Sequence, residues 1–156
     1  DEYAPVITSD ESKLLFTYKG KKSTGGMLND FGEPDIEGSY FEDIFISQRA
    51  EGKWTEPKNP GSAINTRAHE ASVGLSSNGG RLFLYIGSNG GDIYMSSLVK
   101  TSYSKPVTLG ENVNSKYWEG SATLSSDGKT LYFISDRSGG YGGYDIYKTT
   151  KDSAGA

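Results

Sequence analysis

A 49-residue repeat limits what this chain can fold into. Asp43-Ile44-Phe45 recurs as Asp92-Ile93-Tyr94, and the turn residue Asn78 recurs as Asp127, both at a spacing of 49. The register holds without a gap between these anchors. Trp54-Thr55-Glu56-Pro57 lies over Tyr103-Ser104-Lys105-Pro106, Gly61 over Gly110, Ile64-Asn65-Thr66 over Val113-Asn114-Ser115, and Glu70 over Glu119. A third copy ends in Asp145-Ile146-Tyr147, and turns at Thr8-Ser9-Asp10, Ser76-Ser77-Asn78 and Ser125-Ser126-Asp127 each precede an apolar strand, Leu14–Phe16, Leu82–Leu84 and Leu131–Phe133. One such unit cannot bury its own apolar face, so the copies must stack on one another.

Each full copy holds four strand patterns: a before the polar turn, b after it, c at Asp-Ile-aromatic and d at the Trp/Tyr-x-x-Pro segment. Four short antiparallel strands in about 40 to 50 residues make one blade of a β-propeller. The expectation is therefore an all-β chain of three four-stranded blades, at about 1–66, 67–115 and 116–156, the last lacking its fourth strand. Strand a is expected near 4–8, 71–76 and 121–125, where Ala71, Ser72, Gly74, Ser121 and Ala122 suit a crowded position near a central axis. Lys19 to Tyr40 is a long insertion between b and c of the first copy, and its Gly, acidic and Pro-Asp content reads as a loop rather than a fifth strand. Rings need roughly four to eight blades. The chain thus reads as part of a larger propeller, or as half of a ring closed by a second copy in a homodimer.

Composition agrees with many short strands: 156 residues carry 21 Gly and 11 Tyr, with 34% hydrophobic residues. A net charge of -4 and a pI near 5.0 leave no clustered basic face for nucleic acid. There is no Cys, hence no disulfide framework and no thiolate nucleophile. The longest apolar stretch, Leu82 to Ile86, is too short to span a bilayer, and no charged-then-apolar leader opens the chain. It reads as soluble, and as mature or excised from a longer protein.

The candidate chemistry is sparse. In the Ser-Asp-Gly turn, Asp127 is expected to accept from turn amides and Gly128 to take positive φ. Sialidase Asp-boxes space these residues differently. Asp43, Asp92 and Asp145, with Glu70 and Glu119, recur in every copy as architectural residues do, although the glutamates would also fit a channel mouth. Asn29, Asp30, Glu33, Asp35 and Glu37 supply oxygen ligands for Ca²⁺ but lack the spacing of an EF-hand loop, so a solvated acidic loop is the simpler reading. A strand rather than a helix follows Gly139–Gly143, which excludes a phosphate cradle. His69 is the only His and its repeat equivalent is Trp118. No Ser-His-Asp set, arginine cluster or facing carboxylate pair stands out, and no cofactor is implied. What remains is a surface. In a propeller the b-to-c and d-to-a loops share one face, which gathers Arg67, His69, Tyr117, Trp118, Arg137 and Tyr141 as binding residues.

The run L-S-S-D-G-K-T-L-Y-F-I-S-D-R-S-G-G-Y-G-G-Y-D-I-Y (124–147), with W-T-E-P and I-N-T between copies, resembles the TolB-like, WD-type propeller repeats of bacterial envelope proteins. It is most similar to those of Bacteroidetes OmpA-family proteins, in which tetratricopeptide repeats precede the propeller and an OmpA-like peptidoglycan-binding domain follows it. The first copy, F-T-Y-K-G-K-K-S-T-G-G followed by Y-F-E-D-I-F, resembles the insertion-bearing first blade of that group, which includes a type IX secretion-associated component. Asn78-Gly79-Gly80 and Asp10-Glu11-Ser12 depart from the usual Asp-Gly-Lys. Neither flanking domain lies within these residues. The resemblance implies a non-enzymatic scaffold in the periplasm, outer-membrane associated, with envelope proteins or cell-wall glycan as partners. The alternative is a propeller-type enzyme fragment, a glycoside hydrolase or a peptidase-gating propeller.

Overall fold

The computed structural model describes residues 1–29, 31, 33, 35–87 and 91–151. The protein is all-β, built from three antiparallel sheets that follow one another as propeller blades. The first comprises β1 (Glu2–Ile7), β2 (Lys13–Lys19), β5 (Glu42–Ala50) and β6 (Lys53–Trp54), in that spatial order. The second comprises β7 (Glu70–Leu75), β8 (Arg81–Ile86) and β9 (Asp92–Val99), with β10 (Ser102–Tyr103) and β11 (Val107–Thr108) both paired to the outer side of β9. The third comprises β12 (Glu119–Leu124), β13 (Thr130–Ser135) and β14 (Asp145–Thr150).

Strand d is shorter than expected, and proline is the reason. Pro57 and Pro106 have no N–H to give to a ladder, so the edge strand breaks there and resumes at Lys58, bridged to Ile46, and at Val107. The insertion also differs from a plain loop. β3 (Met27–Leu28) and β4 (Ser39–Tyr40) pair as a separate two-stranded ribbon that adds nothing to the blade sheet. Asn29 Oδ1 accepts from the amides of Phe31 and Glu33, both at 2.9 Å, and so closes the ribbon's turn.

The polar turns behave as the sequence suggests. Asp127 Oδ1 accepts from Ser125 Oγ at 2.6 Å and from Lys129 N at 3.1 Å, and Gly128 has φ 72°. Asn78 Oδ1 takes the same two bonds from Ser76 Oγ and Gly80 N, and Asp10 Oδ1 those from Thr8 Oγ1 and Ser12 N.

The core consists of two slabs, each lying between blades. Leu15, Ile44 and Ile64 of the first blade pack on Leu82 and Leu84 of the second, and Phe83, Ile93 and Val113 of the second pack on Ala122, Leu131 and Phe133 of the third. Leu15 and Phe83 are repeat equivalents, as are Ile44 and Ile93, so one set of contacts is made twice. The inner strands crowd as their small residues require. A Cβ on Gly74 would stand 1.9 Å from the carbonyl oxygen of Ala122. Ser72 Oγ of the second inner strand donates to Ala4 O of the first at 2.7 Å, and Ser72 N donates to Thr17 Oγ1 of β2 at 3.0 Å.

Candidate functional site

Strand polarity puts the b-to-c and d-to-a connections at one end of the blades, and contacts between them confirm it. Trp118 N, from a d-to-a segment, donates to Asp136 Oδ1 of a b-to-c loop at 2.9 Å, and Tyr117 OH meets Ser138 Oγ at 3.2 Å. Beneath this face lie two blade junctions of parallel design and opposite electrostatics.

At the second junction Glu119 is fully buried. Its Oε2 accepts from Ser115 N at 2.9 Å, and its Oε1 accepts from Ser115 Oγ, Ser135 Oγ and Arg137 Nη2 at 2.6, 2.9 and 3.0 Å. Burial pushes this carboxyl up, but the bonds from Ser115, Ser135 and Arg137 outweigh it and hold Glu119 below its ordinary value. Arg137 also donates to Val113 O, and its guanidinium stacks between Phe133 and Tyr147 at 4.9 and 5.0 Å from the ring centres. Its charge is spent inside the junction.

At the first junction no arginine takes this place. Asp43 and Glu70 are both fully buried. Asp43 Oδ2 accepts from Thr24 N, Thr24 Oγ1 and Asn59 Nδ2 at 2.7, 2.8 and 2.9 Å, while Asp43 Oδ1 is buried without a hydrogen-bond partner among the described residues. Glu70 receives its bonds from Thr66, through N at 3.0 Å and Oγ1 at 2.5 Å. Burial raises both carboxyls above their ordinary values against those bonds, and the charge of Asp43 raises Glu70 further.

The remaining candidates divide by position. His69 Nδ1 lies 3.0 Å from Glu42 Oε2, and its ring meets Phe41 edge to face at 5.1 Å. Arg67 is exposed beside the insertion. Trp118 is half-buried, 5.3 Å from Tyr144 in an edge-on contact and 6.3 Å from Tyr85. Tyr141 is fully exposed at the tip of its loop, where Asp145 Oδ2 accepts from Tyr141 N at 2.9 Å and from Gly142 N at 3.1 Å. Tyr117 titrates below its ordinary value because of its Ser138 bond and the nearby Lys116, whose ammonium stands 5.2 Å from the ring centre.

The structure therefore brings Tyr117, Trp118 and the Tyr141 loop together on the third blade and holds Arg67 and His69 on the first junction. Tyr144 and Tyr85 join Trp118 although neither was singled out in the sequence. The second tyrosine of the Gly-Gly-Tyr-Gly-Gly-Tyr run was the available signal for Tyr144. Of the Ca²⁺ candidates, Asp30 lies outside the described residues, Asp35 Oδ1 accepts from Glu37 N at 2.9 Å, and Glu37 is exposed. Among the described residues no group of three carboxylate or imidazole side chains is arranged around a metal position.

No protein-family model matches the chain, and no curated protein matches it. Among solved structures, the crystal structure of TolB from Acinetobacter baumannii is similar, with a TM-score of 0.53 and 16% sequence identity over 94% of this chain and 29% of that one. The chain spans less than a third of that protein, and likeness at this level of identity carries the TolB-like propeller fold alone.

Proposed function

We propose that this chain is a non-enzymatic propeller scaffold whose b-to-c and d-to-a loop face binds a protein or glycan partner in the bacterial periplasm. The observation that carries the reading is the edge-on pair of Trp118 and Tyr144 with the fully exposed Tyr141 on the same loop, the Trp118 and Tyr141 main-chain N–H groups being held by the carboxylates of Asp136 and Asp145. Rigid aromatics with a polar edge are the usual anchors of protein interfaces and also stack on sugar rings. His69, the only histidine, is engaged with Glu42 and Phe41, which favours packing over acid–base catalysis. The resemblance of residues 124–147 to OmpA-family propeller repeats supports an outer-membrane-associated setting and a link to type IX secretion. The test is binding of the wild type and a Tyr141→Ala/Tyr144→Ala variant to periplasmic protein domains and to muropeptides. Loss of a wild-type interaction with unchanged melting temperature supports the proposal, and retention of every interaction by the folded variant overturns it.

A further inference from the structure

A groove lies between the first two blades, toward the end of the strands opposite the loop face. Lys13 opens β2 and pairs with Gln48 of β5, which places both beside the a-to-b turn. Ile46 and Lys58 exchange two main-chain bonds of 2.9 Å, so the Lys58 segment is fixed along β5. From the second blade Leu98 and Tyr103, paired across the β9–β10 hairpin, form the facing wall. Tyr103 is buried and its hydroxyl donates to Gly79 O at 2.7 Å, which anchors that wall. The groove encloses about 250 Å³, and every residue lining it belongs to the first two blades.

Half-buried Ile46, Pro60 and Leu98 give this groove an apolar surface, and Lys13 and Lys58 bring two cations to it. No carboxylate lines it, although the chain carries a net charge of -4. Glu11 and Glu56, two positions before each lysine, are instead engaged by Arg49 at 2.5 Å and by Lys22 at 3.4 Å. The ammonium groups of Lys13 and Lys58 enter no hydrogen bond or ion pair among the described residues. The Lys13 stem is held across the junction, its Cδ 3.8 Å from where a Cβ on Gly79 would stand. Packing of the stem thus positions a charge that has no partner. A cation over apolar residues recurs at the second junction, where Arg81, the equivalent of Lys13, lines a cavity with Met95 and Leu109, the equivalents of Ile46 and Pro60.

We infer that the groove binds a small amphipathic carboxylate, its anionic end paired with Lys13 and Lys58 and its apolar body lying on Ile46, Pro60 and Leu98. Volume sets the size of the ligand. A space of 250 Å³ holds about eight groups at the ~30 Å³ that a water molecule occupies, which suits a short-chain or single-ring acid. Charge sets the sign, because two unpaired ammonium groups with no carboxylate beside them favour an anion over a neutral body of the same shape. Lysines act as point charges on flexible stems, so they can follow a carboxylate without the fixed fork geometry an arginine would impose. The groove lies away from the Trp118 and Tyr141 loops, so this site and the loop-face interaction can fail independently.

The probes are hexanoate, hexanamide and acetate, each titrated into the whole chain and followed by amide NMR shifts. Hexanoate is expected to saturate with a Kd of about 1 mM, the range open to so small a ligand, with its largest shifts at Ile46, Gln48, Lys58 and Leu98. Hexanamide lacks the charge and acetate lacks the apolar body, so each should bind about tenfold more weakly or worse. In Lys13→Met/Lys58→Met the stems remain and both charges go. Hexanoate should then bind no better than hexanamide, at an unchanged melting temperature. Equal affinity of hexanoate for the wild type and the folded double variant overturns the inference, as does equal binding of hexanoate and hexanamide to the wild type. So does an absence of saturable shifts, or their confinement to the loop face. The comparison of hexanoate with hexanamide needs no variant, so a double variant that failed to fold would leave the test intact.

Discussion

Arg137 reaches under the loop face to hold Glu119 at 3.0 Å, while Glu70, the repeat equivalent of Glu119, faces Asp43 with no guanidinium between them. The carboxylates recur because each blade junction needs an acceptor for the Thr66 or Ser115 N–H and hydroxyl. Only the second junction also neutralises the charge.

Replacing Arg137 by Met keeps the apolar stack on Phe133 and Tyr147 but strands Glu119 as a buried charge. The expected loss at neutral pH is about 3 kcal/mol, typical of removing one partner of a buried pair. Because the folded-state value of Glu119 is lowered, its contribution is present above the ordinary glutamate value and lost as pH falls through the folded value. The stability gap between wild type and Arg137→Met, measured by denaturant titration, therefore narrows below about pH 4. A gap that widens in acid would contradict this assignment.

Glu70 carries the opposite sign. Its value is raised, first by burial, so its contribution is fully present below the unfolded-state value and is lost as pH rises through the folded one. In Glu70→Gln the amide oxygen still accepts from Thr66 N, and the Thr66 hydroxyl rotates to accept from the new amide. Melting curves of the two proteins should coincide near pH 4, with the variant more stable by pH 8. A variant less stable at pH 8 would show that Glu70 is compensated by a cation in solution.

Strands b and c were legible in the sequence because Leu-x-Phe and Asp-Ile-Tyr put apolar residues where each slab needs them, and β13 runs from Thr130 to Ser135 as its pattern indicates. Strand a starts one or two residues earlier than its small residues suggest, since Glu2, Glu70 and Glu119 join the ladder despite their charge. The β3–β4 ribbon gave no periodic signal, having two residues on each side. Arg137 was legible as a loop residue but not as a half-buried partner of Glu119. Its partners Val113 and Glu119 lie 24 and 18 residues earlier, and the repeat predicts symmetry where the structure departs from it.

The inner strands leave no space for a methyl group. Gly74→Ala would drive a Cβ to 1.9 Å from the Ala122 carbonyl oxygen, which belongs to the backbone of the next blade and cannot rotate away. The expected cost is about 2 to 3 kcal/mol of unfolding free energy, in the range of overpacked cores. Gly142→Ala is the matched control, because nothing lies within 4 Å of its Cβ position, and its melting temperature should be unchanged.

Asn114 makes the sharpest test of how the blades are locked. It holds both polar groups of Ile93, whose side chain is wholly buried, and it also donates to Thr108 Oγ1 at 2.9 Å. In Asn114→Ala the Ile93 N–H and C=O are left unpaired, for an expected loss of about 2 to 4 kcal/mol. Asn114→Asp separates the two halves of the clamp. Its carboxylate still accepts from Ile93 N, but its second oxygen faces the Ile93 carbonyl with no proton to offer. Protonation supplies that donor, so the variant should regain stability as pH falls, whereas Asn114→Ala should show no such recovery. Parallel pH profiles for the two variants would mean that the Ile93 carbonyl bond contributes nothing to the junction.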